Sequence, residues 1–154
     1  MYNTGNSHLS ATASDTVSPI WLLVFSAWLV ATVSTLGALF FSEIMGYAPC
    51  VLCWYQRIAM FPLVLVLGAG LLPLDVRVVR YALPLALAGA GVALFQLALI
   101  AGWIPENLKP CRQGIPCSEV QVVWLGFITI PLLSLVSFTV VSALLVAAYR
   151  KVKP

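Results

Sequence analysis

The chain has 154 residues, of which 62% are hydrophobic and only 8% charged, and its formal net charge is +3. A soluble domain carries about 25% charged residues and, at this size, buries only about 70% of the surface its chain exposes, so it could not hide this much apolar side chain. A soluble globular protein and a disordered chain are therefore both excluded, and a charge of +3 in such a composition leaves no electrostatic footprint for nucleic acid.

The remaining solvent is lipid, in keeping with a mean hydropathy of +1.03. Residues 1–18 are polar and of low complexity, rich in Asn, Ser and Thr, with neither the basic start nor the cleavage site of a secretory signal peptide. They read as a disordered tail, and His8, the only histidine, sits there. Residues 16–42 carry no charge and predict a first transmembrane helix over 19–41. A second helix is expected over 49–72, with Arg57 near its start as its only charge. The uncharged stretches 81–105 and 120–149 predict helices over 81–103 and 121–149, the last followed by a basic tail at 150–154. Each span reaches the roughly 20 residues that cross a hydrocarbon core. The expected fold is an all-α membrane protein, a four-transmembrane-helix bundle with short extracytoplasmic loops. Its longest connection, 104–120, carries Pro105, Pro110, Gly114 and Pro116.

Lysine and arginine near the helix ends set the orientation. Arg77, Arg80, Arg150, Lys151 and Lys153 stand at one side, against Lys109 and Arg112 at the other. This bias puts both termini and the middle connection in the cytoplasm. It also brings Trp54, Tyr55, Trp103 and Trp124 to the outer interface, where amphipathic rings are favoured.

All four cysteines fall on that outer side. Cys50 and Cys53 form a C-x-x-C at the head of the second helix, and Cys111 and Cys117 lie in the third connection. Thiols facing an oxidising compartment become disulfides. A membrane bundle is held by helix packing and gains little from such staples, so two neighbouring pairs read as redox chemistry. Two structural disulfides in a non-enzymatic membrane protein are the alternative, and a four-thiolate zinc site is disfavoured by the loose spacing of Cys111 and Cys117. No resident metal is expected. In a helix that includes the motif, Cys50, Cys53 and Arg57 share one face. The helix dipole and the guanidinium both favour the thiolate, the reactive form. The residues around Arg57 are apolar or aromatic, and no haem, flavin or nucleotide motif accompanies them. Gly89 and Gly91 read as packing positions in the third helix. An electron acceptor that needs only a greasy slot, a cation and a nearby thiolate is a lipid-soluble quinone.

Three motifs then carry a resemblance: P-C-V-L-C-W-Y-Q-R at 49–57, K-P-C-R-Q-G-I-P-C-S at 109–118 and W-L-G-F-I-T-I-P at 124–131. Over roughly residues 21–150 the sequence resembles the DsbB-type thiol:quinone oxidoreductases, above all their short, BdbC-like branch. The resemblance implies a bacterial cytoplasmic (inner) membrane enzyme that reoxidises a DsbA-like thioredoxin-fold thiol oxidase and passes the electrons to the membrane quinone pool, ubiquinone or menaquinone. It implies that Cys111 is attacked by the reduced partner. Cys117 would then be freed to attack Cys50, Cys53 would hand electrons to quinone, and Arg57 would hold that quinone. Two departures stand out. The loop bearing Cys111 and Cys117 is shorter than in the better-known proteobacterial relatives. Many short-branch relatives also carry a histidine late in the third helix, where this chain has Gln96. Gln96 is thus expected either beside the quinone, acting by hydrogen bonding, or as a polar packing residue.

Overall fold

The computed structural model describes residues 7–72, 75–105, 123–124 and 128–152. In chain order these form α1 (Ser7–Leu39), a π-helical turn (Phe40–Ile44), α2 (Val51–Leu71), α3 (Val78–Ile100), a two-residue strand β1 (Val123–Trp124), its partner β2 (Ile128–Thr129) and α4 (Ile130–Val152). Among the described residues, four helical segments are long and apolar enough to cross a membrane: Pro19–Ile44, Val51–Leu71, Val78–Ile100 and Ile130–Val152. The four-helix membrane architecture expected from the charge-free runs is the one observed. Successive helices pack against each other and α4 closes back on α1, giving an up-and-down ring. Exposed Trp54, Tyr55 and Trp103 gather at one end and exposed Tyr81 and Tyr149 at the other, as two interfacial belts would require.

In lipid every helix face is greasy, so residue size replaces polarity as the packing signal. On α3 the buried stripe runs Val79, Ala82, Ala86, Gly89, Ala93, Gln96, with steps of three and four that keep it on one side of the helix. Small side chains there let α4 approach closely. A Cβ placed on Gly89 would overlap the ring of Phe138, whose Cδ1 would lie only 2.7 Å away. Phe138 is fully buried and has nowhere to retreat. Gly89→Ala should therefore destabilise the bundle by about 1–3 kcal/mol, the usual range for overpacking. Thermal unfolding in detergent should show this, and Phe138→Leu in the same chain should recover part of the loss. A Cβ placed on Gly91 would meet nothing within 4 Å, so of the two glycines expected to serve packing only Gly89 is required by a close approach.

Three helices differ from expectation in where they begin or end. First, α1 is helical from Ser7, whereas residues 1–18 were expected to be disordered. Extending a helix that is already nucleated needs only propagation, which weak local preferences do not prevent. Second, α3 spans Val78–Ile100 rather than 81–103. It is ended by Gly102 at φ 75°, with Trp103 N–H donating to Ala98 O and Gly102 N–H to Leu99 O, the paired bonds of a glycine-terminated helix. Third, α4 begins at Ile130, not 121, because Val123–Trp124 and Ile128–Thr129 pair as a short antiparallel ladder. Absence of charge does not distinguish helix from strand, and Val, Trp, Ile and Thr all favour strands. Pro131 fits the first turn of α4, where no amide hydrogen is needed.

Candidate redox site

The site lies where α1 ends, α2 begins, α3 ends and α4 begins. Cys50 caps α2 in an extended conformation (φ −70°, ψ 169°), and its Sγ accepts a hydrogen bond from Cys53 N–H at 3.3 Å. That amide is one of the unpaired donors of the first helical turn, and a side chain at the capping position folds back to meet it. The C-x-x-C spacing therefore brings the sulfurs together: they lie 2.7 Å apart, as free thiols. The positive end of the α2 dipole falls on this pair.

One helical turn further on, Arg57 points to the same side as Cys53, and both line the same cavity. Its Nη2 donates to Ala38 O at 2.8 Å, and its Cζ stands 5.4 Å from the centre of the Trp54 ring. Ala38 precedes the π turn, where the regular helical ladder is interrupted, a feature that often accompanies functional sites. Gly46, at φ 70°, then turns the chain away, and Tyr47 N–H closes the end on Phe41 O.

Gln96 reaches the cysteines from α3. Its Nε2 donates to Cys50 Sγ at 3.4 Å and to Cys53 Sγ at 3.7 Å, and its Oε1 accepts from Gln56 Nε2 at 2.8 Å. Both amides are buried, Gln56 at 7% exposure and Gln96 at 2%. Desolvated amides in a helical bundle are tolerated only when partnered, and these partner each other and the sulfurs.

A cavity of about 340 Å³ opens over these groups, with Gly37, Ala38 and Phe41 on one wall and Ile130, Pro131 and Ser134 on the other. It extends to Val33 of α1 and Leu133 of α4, both well exposed on the flank of the bundle. The slot is thus reachable sideways, from the lipid. Of the residues singled out in the sequence, Cys50, Cys53, Arg57 and Gln96 are brought together here. Cys111 and Cys117 lie outside the described residues. Gln56 was not foreseen, although its position three after Cys53 on a helix already suspected of carrying the site was a usable signal.

A capped C-x-x-C at the head of a membrane-spanning helix, with a cation and an apolar slot beside it, defines a membrane-embedded dithiol protein built for thiol–disulfide chemistry. Comparison with known proteins makes this specific. Residues 18–148 match the family described as "Disulfide bond formation protein DsbB". A "Probable disulfide formation protein" of Metapseudomonas resinovorans is 44% identical over 135 residues, 87% of this chain and 94% of the relative. "Disulfide bond formation protein C" of Bacillus subtilis (strain 168) is 43% identical over 122 residues, 78% of this chain and 87% of the relative. "Probable disulfide formation protein C 2" of Bacillus cereus is 45% identical over 119 residues, covering 77% and 85%. No solved structure gives a significant match. The chain belongs to the DsbB family of disulfide bond formation proteins.

Proposed function

We propose that this protein is a thiol:quinone oxidoreductase of the bacterial cytoplasmic membrane, with both termini in the cytoplasm and the cysteines facing outward. It reoxidises a DsbA-like thioredoxin-fold oxidase. The observation that carries this reading is the convergence of Cys50, Cys53 and Arg57 on one apolar slot that reaches the lipid-facing surface. Its volume falls in the range of small-ligand sites, and its lining offers what a quinone head group needs: greasy walls, a cation and a neighbouring thiol. Quinone, when bound, supplies the terminal oxidant, taking up two electrons and two protons to become quinol.

The rest is done by the chain. A thiolate of the reduced partner attacks Cys111 and breaks a Cys111–Cys117 disulfide, freeing Cys117, and the partner's second thiol then displaces Cys111, releasing the partner as a disulfide. Cys117 attacks Cys50 and breaks the Cys50–Cys53 bond, and Cys111 attacks Cys117 and re-forms the outer disulfide. Cys50 and Cys53 are left reduced, with Cys53 nearest Arg57. Their two electrons pass to the acceptor as the Cys50–Cys53 bond closes again. Arg57, tied to Ala38 O, orients the acceptor and stabilises the negative charge that develops on it. The net change is partner dithiol plus quinone to partner disulfide plus quinol. A strong acceptor is required because such a partner sits near −120 mV, while ordinary structural disulfides lie below about −300 mV. Oxidising the partner with an ordinary bridge would therefore be uphill by roughly 8 kcal/mol.

The test is to mix the purified protein with a reduced DsbA-type oxidase and a quinone, and to follow quinone absorbance together with partner thiols. One quinone should disappear for each partner disulfide formed. Bridges that resist mild reductant, with no loss of either ubiquinone or menaquinone analogues, would instead mark a protein with structural disulfides.

A further inference from the structure

Cys53 and Arg57 account for electron transfer and acceptor binding, but neither accounts for the two buried amides behind the sulfurs. Gln96 has one acceptor atom, Oε1, and one donor group, Nε2. Gln56 occupies the acceptor end at 2.8 Å, so the donor end is held toward Cys50 Sγ and Cys53 Sγ. The polarity of this arrangement matters. A reduced sulfur accepts a hydrogen bond well, and an anionic one accepts better, whereas a disulfide sulfur is a poor acceptor. An amide fixed in the opposite sense would present its oxygen to the sulfurs and reverse the preference.

The geometry points to a two-glutamine relay that sets the redox poise of the Cys50–Cys53 pair: Gln96 stabilises the reduced sulfurs relative to the disulfide, and Gln56 acts through Gln96 as a positioning residue. The relay makes the pair a stronger oxidant toward the sulfur that attacks it. This inference deepens the proposed function, since it assumes that the pair cycles between dithiol and disulfide.

The relay can be read without quinone or partner. The full chain carrying Cys111→Ser and Cys117→Ser, freed of quinone in detergent, is equilibrated with mixtures of reduced and oxidised dithiothreitol. Reduction breaks the Cys50–Cys53 bond. Dithiothreitol supplies two electrons and two protons and closes to its cyclic disulfide. Thiols are counted by the mass added with a maleimide. Gln96→Leu should shift the equilibrium constant about tenfold toward the disulfide, equivalent to about 30 mV. Gln56→Leu should shift it in the same direction by about threefold, and the double variant should match Gln96→Leu alone, because Gln56 has nothing left to orient. Two amides serving only as interhelical glue would lower stability and leave the constant unchanged. A wild-type constant in Gln96→Leu, or additive shifts in the double variant, overturns the relay. Should Gln96→Leu fail to fold, Gln96→Met and Gln56→Leu carry the same expectation, and an unshifted constant in either overturns it equally. Failure of quinone turnover with the shifts intact would remove the proposed function and leave the relay standing.

Discussion

Cys53→Ser is expected to abolish quinone consumption, lowering turnover by at least about 1,000-fold, as removal of a covalent participant generally does. The reason is local. The sulfurs of Cys50 and Cys53 lie 2.7 Å apart because one caps the helix and the other supplies the amide that the cap binds. Serine preserves that amide and the cap, and so the fold, but a hydroxyl cannot close a disulfide with Cys50 or donate an electron pair at a useful potential. The variant should still react once with a reduced partner through the outer cysteines and then stall. Quinone loss in a stopped assay, read beside the thiol count, separates these steps. Quinone loss at the wild-type rate would remove Cys53 from the pathway.

The second large effect is expected at Arg57. Its guanidinium is fixed by Ala38 O at 2.8 Å and by the face of Trp54, so it meets the slot in a set orientation. A hydrogen bond from a charged donor contributes about 1.5–3 kcal/mol, which is about ten- to a hundredfold in an equilibrium constant. Arg57→Ala should therefore raise the KM for quinone by about 10–100-fold, while the KM for the reduced partner stays within about twofold. Arg57→Lys should recover only part of the loss, because an ammonium keeps the charge but cannot reproduce the planar fork. Titration of initial rates against each substrate provides the check. An unchanged quinone KM would reduce Arg57 to an interfacial anchor whose head group reaches the membrane surface.

Much of the candidate site was legible because its centre is local. Cys50, Cys53 and Arg57 lie within eight consecutive residues; helical periodicity puts Cys53 and Arg57 on one face, and the capping position of Cys50 folds its sulfur back to them. Gln96 could be named from the resemblance, but not its partners: the sequence left it between acceptor and packing, and contact with both sulfurs required α3 to be docked against α2. Gln56 sat inside the quoted motif without a role, because its role is a hydrogen bond to a residue forty positions away. The lining contributed by Gly37, Ala38 and Ser134 left no mark in the sequence, and Pro131 closed a quoted motif without a role.

The amino-acid sequence by itself determined the solvent, the number of spans and the candidate redox motif, since charge-free length and the spacing of cysteines and arginine are properties of the chain read in one dimension. Helix ends were only partly determined. Gly102 and the Val123–Trp124 ladder stop or delay helices through backbone geometry and pairing, which hydropathy does not register. The docking of the four helices was decided by the tertiary structure alone. A helix apolar on all sides does not announce which face it buries. Only close packing, Gly89 under Phe138 and Ala38 beside Arg57, selects the faces that leave a slot between α1 and α4.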